Sequence, residues 1–478
     1  MSDCIIWGCV VCCAVAWAQP VSPLPETVAA ALRTAGIDEQ DVSVVVADVA
    51  PGGRVWLQHN EHEVRYPASV IKLVTTFAAL DMLGANYTWN TAVFADGPVS
   101  NGVLQGSLYI RGSGDPFLSA DRMRELLLQV NAAGVVQIQG DLLIDRSAYS
   151  IPDVDPAAFD GEPLRAYNVR PDAMLVNFKT ISLTFNPSLA QAGERIPVIM
   201  SPPLAGVGVD ATVAVGGQRN CGDWKAALQA DFSDPLNIRF AGTFPQVCGP
   251  KQWYVAFPDP QSYSLRAIGG LWQELGGSVQ GRIGFGSVPA GATLVATGDS
   301  KSLAEVVRDV NKFSNNVMAQ SVFLALSLPE QKSIASPRPI AMPATLERSQ
   351  QALAAWWHRR LPRATPPVMD NGSGLSRSES ISASSLAAML QLAWESSVMP
   401  EYISSLPIAG VDGTMRRSNA RADAHIKTGS IRNVVARAGY VLSHNGQRRV
   451  LVFLVNSNHA DKAKDALDAL IDWAAGLR

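Results

Sequence analysis

A serine three residues ahead of a lysine is the first pairing in this chain that could do covalent chemistry: Ser69-Val70-Ile71-Lys72. Pro67 precedes it, and Ala68 to Leu83 is an apolar stretch with no interior Gly or Pro, the pattern of a buried helix. Residues i and i+3 share a helix face. Ser69 would therefore sit in the first turn, where free amides and the helix dipole favour developing negative charge. Lysine is a poor base at its reference pKa of about 10.4, and holding it neutral near pH 7 costs about 4.6 kcal/mol. Burial and nearby cations can supply that change. Taken alone, the motif reads as an ordinary helix lysine; the sharper reading is nucleophile and base.

Two further motifs follow. Ser314-Asn315-Asn316 lies in a helical region after Val310-Asn311-Lys312. A buried Ser314 hydroxyl could relay a proton to a leaving group, and the Asn316 amide could orient a lysine or substrate. Taken alone, the triplet is a loop or helix cap. Lys427-Thr428-Gly429-Ser430 falls on a strand that starts at Ala424. Lys427 would offer a fixed cation to an anionic substrate group, and Thr428 could bond the same carboxylate. Gly429 would let a substrate backbone lie close, and the Ser430 N–H could face an oxyanion together with that of Ser69. The plainer reading is a solvated edge strand.

S-x-x-K, S-x-N and K-T-G in this order match the signature of penicillin-recognising serine acyl-enzymes. The gap from Ser69 to Ser314 is 245 residues and that from Ser314 to Lys427 is 113. A class A β-lactamase has a far shorter first gap, and no E-x-x-x-N lies between Asn316 and Lys427. The long first gap resembles that of the D-alanyl-D-alanine carboxypeptidase/endopeptidases of the penicillin-binding protein 4 (DacB) type, which carry extra domains there. Tyr66-Pro67-Ala68, Leu108 to Pro116, Ala173 to Phe178, Asp370 to Ser376 and Asp412-Gly413-Thr414 look like the same family.

The resemblance implies hydrolysis of D-alanyl-D-alanine in peptidoglycan stem peptides, or of the cross-link between them. It implies Ser69 as nucleophile, Lys72 as base, Ser314 and Asn316 as relay, and Lys427 and Thr428 as holders of the terminal carboxylate. β-Lactams would acylate Ser69, and no metal or cofactor is implied. A β-lactamase or esterase on the same site, or a non-catalytic cell-wall-binding scaffold that keeps the pocket, are the rival readings. Asp115 and Asp370 sit beside glycines and read as turn residues, with Asp370 also a candidate for the cleft rim.

These motifs need elements to hold them. Val44 to Val49 is a β-branched run, Pro51-Gly52-Gly53 is a turn, and Arg54 to Gln58 alternates: a hairpin. Ala424 to Gly429, Val435 to Ser443 and Arg449 to Asn456 read as three more strands, and Asp461 to Leu477 as an amphipathic helix. One antiparallel sheet built from both ends of the chain, with the terminal helices on one face, follows. Residues 89 to 257 are instead a series of short strand-like runs between Gly, Pro and Asp turns. The fold class is α/β (α+β): a β-lactamase/transpeptidase-like domain with an antiparallel sheet flanked by helices, interrupted by a two-part β-rich insertion. The boundaries are 1–18 for a signal peptide, 19–88 and 258–478 for the acyl-enzyme domain, and 89–168 and 169–257 for the inserted modules.

Composition bounds the rest. The chain has 478 residues, 47% hydrophobic and 17% charged, enough for large cores and incompatible with disorder. Its net charge of −3 argues against a nucleic-acid binder. No stretch reaches the roughly 20 apolar residues of a membrane span. Ile5 to Trp17 with Ala16-Trp17-Ala18 reads as an export signal cleaved after Ala18, although its n-region holds Asp3 and no Lys or Arg. That places the protein outside the cytoplasm, in the periplasm or at the cell wall, without an integral membrane segment once mature. Cys221 and Cys248 are the only cysteines beyond the signal, and in an exported protein they read most simply as a disulfide. Scattered histidines and the lack of HExxH give no metal site.

Overall fold

The computed structural model describes residues 23–328 and 334–476. The proposed signal, with its four cysteines, lies outside the described residues. At the centre is a five-stranded antiparallel sheet in the order Val55–His59, Val42–Asp48, Arg448–Asn456, Val434–Leu442, Ala424–Ile431. Strand Val42–Asp48 pairs across its whole length with Arg448–Asn456, so both chain ends share one sheet.

Period-2 alternation sends successive residues to opposite faces. Val44, Val46, Leu451, Phe453 and Val455 pack in one core with the helices Glu26–Ala35 and Lys464–Ala474. Val45, Ala47, Val450, Val452 and Leu454 face the other core, filled by the helices Lys72–Leu83, Leu303–Phe313, Asn316–Ala325 and Ala383–Glu395. Helices therefore cover both faces. Each large apolar side chain fully buried here contributes about 1.5–3 kcal/mol.

We read residues 90–299 as the insertion, whose two ends meet at one point on the sheet domain. Ser300 N donates to Trp89 O (2.8 Å), and Trp89 N donates to Ser300 Oγ (2.8 Å). Its first sheet has the order Ile283–Phe285, Leu142–Asp145, Leu108–Arg111, Asn90–Ala95, Thr293–Asp299. Its second has the order Thr243–Pro245, Thr212–Gly216, Arg195–Ser201, Thr180–Phe185, Lys251–Ala256. A disulfide joins Cys221 to Cys248 in this second module.

Two features differ from the sequence reading. The Tyr263–Glu274 helix and the strands from Ser278 to Asp299 pack with the insertion, and we place its boundary at Asp299 rather than at residue 257. These late strands are only two to seven residues long, and two pair in parallel with segments some 140 residues away, which local patterning does not reveal. The insertion also contains a helix, Ala120–Ala132, capped by Ser119 and burying Met123, Leu126, Leu127 and Val130.

Candidate active site

Ser69 lies in a short 3₁₀ turn, Ala68–Ile71, that runs directly into the Lys72–Leu83 helix. That helix is apolar on nearly every side, so it is buried throughout its first nine residues. Ala68 adopts φ +46°, a left-handed conformation that an L-residue keeps only when its surroundings hold it there. Two glycines supply that hold. A Cβ on Gly374 would stand 2.2 Å from Ala68 O, and one on Gly429 would stand 2.6 Å from Pro67 O and 3.0 Å from Ser69 N. The serine turn is thus pinned between the 370–374 loop and the Ala424–Ile431 strand.

Lys72 has no exposed surface. Its Nζ lies 2.9 Å from Ser69 Oγ and 2.7 Å from Asn316 Oδ1, and it also bonds Ser373 O. Burial lowers its pKa to about 7, against the opposing pull of the Glu379 carboxylate. Protonated, the ammonium satisfies all three oxygens. On losing one proton it keeps two N–H bonds. Asn316 Oδ1 and Ser373 O can only accept, whereas Ser69 Oγ can also donate. The lone pair must then face Ser69, the geometry of a general base.

Ser314 and Asn316 are brought together by a break between two helices. Leu303–Phe313 ends at Ser314, in left-handed conformation with φ +57°, and Asn315 caps the next helix by accepting from Met318 N (3.1 Å). Asn316 Nδ2 donates to Tyr167 O (3.0 Å), a contact from the insertion. Lys427, wholly buried, donates from Nζ to Ser314 Oγ (2.9 Å) and Thr428 O (2.7 Å). Burial, then the cations Lys72 and Arg437, hold its pKa well below the usual lysine range. The sequence reading gives the substrate carboxylate to Lys427 and Thr428 together. In the structure this ammonium turns to Ser314, and the hydroxyls of Thr428 and exposed Thr414, 2.7 Å apart, stand nearest to solvent. Ser430 is exposed, one residue beyond the glycine packed on Ser69.

The structure therefore brings Ser69, Lys72, Ser314, Asn316, Lys427, Thr428 and Gly429 together, with exposed Ser430 next along the strand, and leaves Cys221 and Cys248 in the inserted module. Asp115 Oδ1 accepts from Phe117 N (2.8 Å), a turn role. Asp370 opens the loop that contributes Ser373 O. The three motifs do not reveal that carbonyl, Tyr167 O or Glu379, and Thr414 enters only within the Asp412-Gly413-Thr414 stretch. Backbone acceptors carry no residue signature. Glu379 did leave one: it is the single acidic residue between Asp370 and Glu395, in a Ser-rich stretch. Among the described residues no group of three or more His, Cys, Asp or Glu is placed to hold a metal ion, and no helix is long and apolar enough to cross a membrane.

The chain is similar to known proteins along nearly its whole length. The family described as "D-Ala-D-Ala carboxypeptidase 3 (S13) family" matches residues 24–477. The chain is 28% identical over 471 residues to a D-alanyl-D-alanine carboxypeptidase of Actinomadura sp. (strain R39), covering 94% of this chain and 84% of that one. It is 24% identical to the D-alanyl-D-alanine carboxypeptidase DacB of Haemophilus influenzae, covering 84% and 83%. The crystal structure of penicillin binding protein 4 (dacB) from Haemophilus influenzae shares the fold, with a TM-score of 0.71 at 20% identity over 94% of this chain and 99% of that one.

Proposed function

The chain belongs to the D-Ala-D-Ala carboxypeptidase 3 (S13) family and is a serine-type D-Ala-D-Ala carboxypeptidase of the DacB type, and from that premise we propose how its residues perform the reaction. The observation that carries the mechanism is the confinement of Lys72 between two acceptor-only oxygens and Ser69. Ser69 Oγ attacks the carbonyl of the penultimate D-Ala while its proton passes to Lys72. The Ser69 and Ser430 N–H groups receive the developing oxyanion. Ser314, held by Lys427 and with Asn316 beside it, relays that proton from Lys72 to the leaving D-Ala amine, so Ser314 ends the step protonated as it began and Lys72 neutral. Water then attacks the Ser69 ester and releases the shortened peptide.

The same steps cleave a D-Ala cross-link, so the reading includes endopeptidase action on peptidoglycan. A β-lactam ring opened by Ser69 leaves a slow-hydrolysing ester. A structure of similar fold is a complex with a β-lactam, which supports this class of inhibitor. Work on the cell wall requires export, in keeping with the apolar N-terminal run, and the periplasm is the proposed location.

The test is incubation with purified cross-linked muropeptides read by mass spectrometry, alongside labelled benzylpenicillin. Loss of terminal D-Ala, separation of dimers and an adduct on Ser69 are expected, all abolished in a folded Ser69→Ala protein. An adduct on another residue, or rapid turnover of nitrocefin in place of stoichiometric trapping, would refute the assignment.

A further inference from the structure

Of the two oxygens that direct Lys72, Asn316 Oδ1 belongs to a capped helix and Ser373 O to a loop. A loop carbonyl is only as well placed as its loop. The 370–374 segment is gathered onto one carboxylate. Glu379 Oε1 accepts from Asp370 N (3.2 Å), Asn371 N (3.0 Å) and Gly372 N (2.6 Å), and Oε2 accepts from Gly374 N (2.7 Å). Asn371 Oδ1 adds a bond from Ser373 N (3.0 Å). Glu379 is 1% exposed, and amides occupy its oxygens where a cation might have been expected.

A buried carboxylate is costly, and packing alone would be served by an apolar residue. What a carboxylate offers is two oxygens that only accept. A glutamine of the same shape would turn an NH₂ group against one or more of these amides. The loop so gathered touches both ends of the catalytic pair. Ser373 O meets Lys72 Nζ, and Gly374 lies against Ala68 O and Ser69 N.

We propose that Glu379 is a positioning residue for acyl transfer: by drawing four loop amides onto one carboxylate it fixes Ser373 O as an acceptor-only partner of Lys72 and so directs the lysine lone pair to Ser69. The proposal rests on the reading of Ser69 and Lys72 as nucleophile and base. Glu379 touches neither and acts through the loop.

Its charge gives a second readout. The groups facing the pair are Lys427 from the sheet, with Arg437 beside it, and Glu379, with Asp370 on its own loop. Burial pushes the Glu379 carboxyl up while its amide donors oppose that, and in its ionised form the carboxylate favours protonated Lys72. Removing its charge lowers the lysine pKa, so the acid limb of the acylation rate moves to lower pH.

Stopped-flow acylation by nitrocefin between pH 5 and 9 tests this on the wild type, Glu379→Gln and Glu379→Asp. Glu379→Gln should lower the plateau acylation rate constant about ten- to hundredfold, as expected for a catalytic pair misplaced by up to an ångström. Its acid limb should move to lower pH, and noncovalent binding of the β-lactam should change little. Glu379→Asp keeps the charge but shortens the reach, and should show a smaller loss with the limb unmoved. A Glu379→Gln protein that melts at lower temperature yet acylates at the wild-type rate would reduce Glu379 to a structural residue and overturn the proposal. If Glu379→Gln does not fold, Glu379→Asp decides: a wild-type rate constant overturns the proposal and a reduced one sustains it. Failure of the underlying mechanism is read separately, as a wild-type adduct on a residue other than Ser69.

Discussion

Lys427 and Thr428 are neighbours on one strand with different work to do. Lys427 is sealed from solvent and bonded to Ser314, while Thr428, 9% exposed, shares a hydroxyl contact with Thr414 at the cleft. We therefore propose Thr428 and Thr414 as the direct anchors for a substrate carboxylate, with Lys427 acting through Ser314 and on the proton balance of Lys72. A hydrogen bond to a charged group contributes about 1.5–3 kcal/mol, so Thr428→Val should lower kcat/KM for a D-Ala-D-Ala peptide about ten- to hundredfold. A thioester substrate without the carboxylate should lose little. Lys427→Ala should lower both substrates together. Equal losses for Thr428→Val on the two substrates would remove the anchor assignment. The Lys72 pKa of about 7 adds a pH dependence: below it the lone pair is protonated, so acylation should fall about tenfold per pH unit as the solution is made more acidic.

At the scale of elements, the site exists because a turn, a loop and a strand meet at distances only glycine allows. Gly374 has φ +80°, and an added methyl would strike Ala68 O and Ser69 N. Gly374→Ala should displace the nucleophile and slow acylation by about a hundredfold, measured with labelled penicillin under saturating conditions. A wild-type rate would mean that the loop does not set the Ser69 turn. The disulfide belongs to another element. It closes 27 residues of the second inserted module, and loop closure of that length stabilises by roughly 3–4 kcal/mol in the chain-entropy model. Replacing both cysteines by serine should lower the melting temperature of the module while the penicillin acylation rate stays near wild type. A large fall in that rate would tie the module to catalysis.

Across the whole molecule, the insertion is a guest with its own core. Its sheets pack around Val93, Ile110, Leu183 and Phe244, while the two cores flanking the catalytic sheet draw their fully buried members from outside residues 90–299. Because Trp89 and Ser300 are hydrogen-bonded neighbours, replacing 90–299 by a short Gly-Ser linker should leave a chain that unfolds cooperatively on heating. Its acylation should be slower, because Asn316 loses the Tyr167 carbonyl. A product without a cooperative transition would show that the catalytic domain needs its guest to fold.

The sequence by itself determined the chemistry and the frame. Ser69 and Lys72, Ser314 and Asn316, and the Lys427 strand are legible because each pair of side chains is set by local periodicity, and order along the chain is preserved whatever lies between. The sheet strands at both termini are legible for the same reason, since alternation is a local property. Tertiary structure alone decided what surrounds those side chains. The acceptor-only carbonyl of Ser373 comes from 301 residues beyond Lys72, and Glu379, which gathers its loop, works through backbone amides that carry no side-chain signal. It also decided that Lys427 faces Ser314, and that strands near residue 283 complete a sheet begun at residue 90. Burial and long-range pairing belong to the packed chain, and a lysine's protonation state and a lone pair's direction follow from burial and partners, not from spacing.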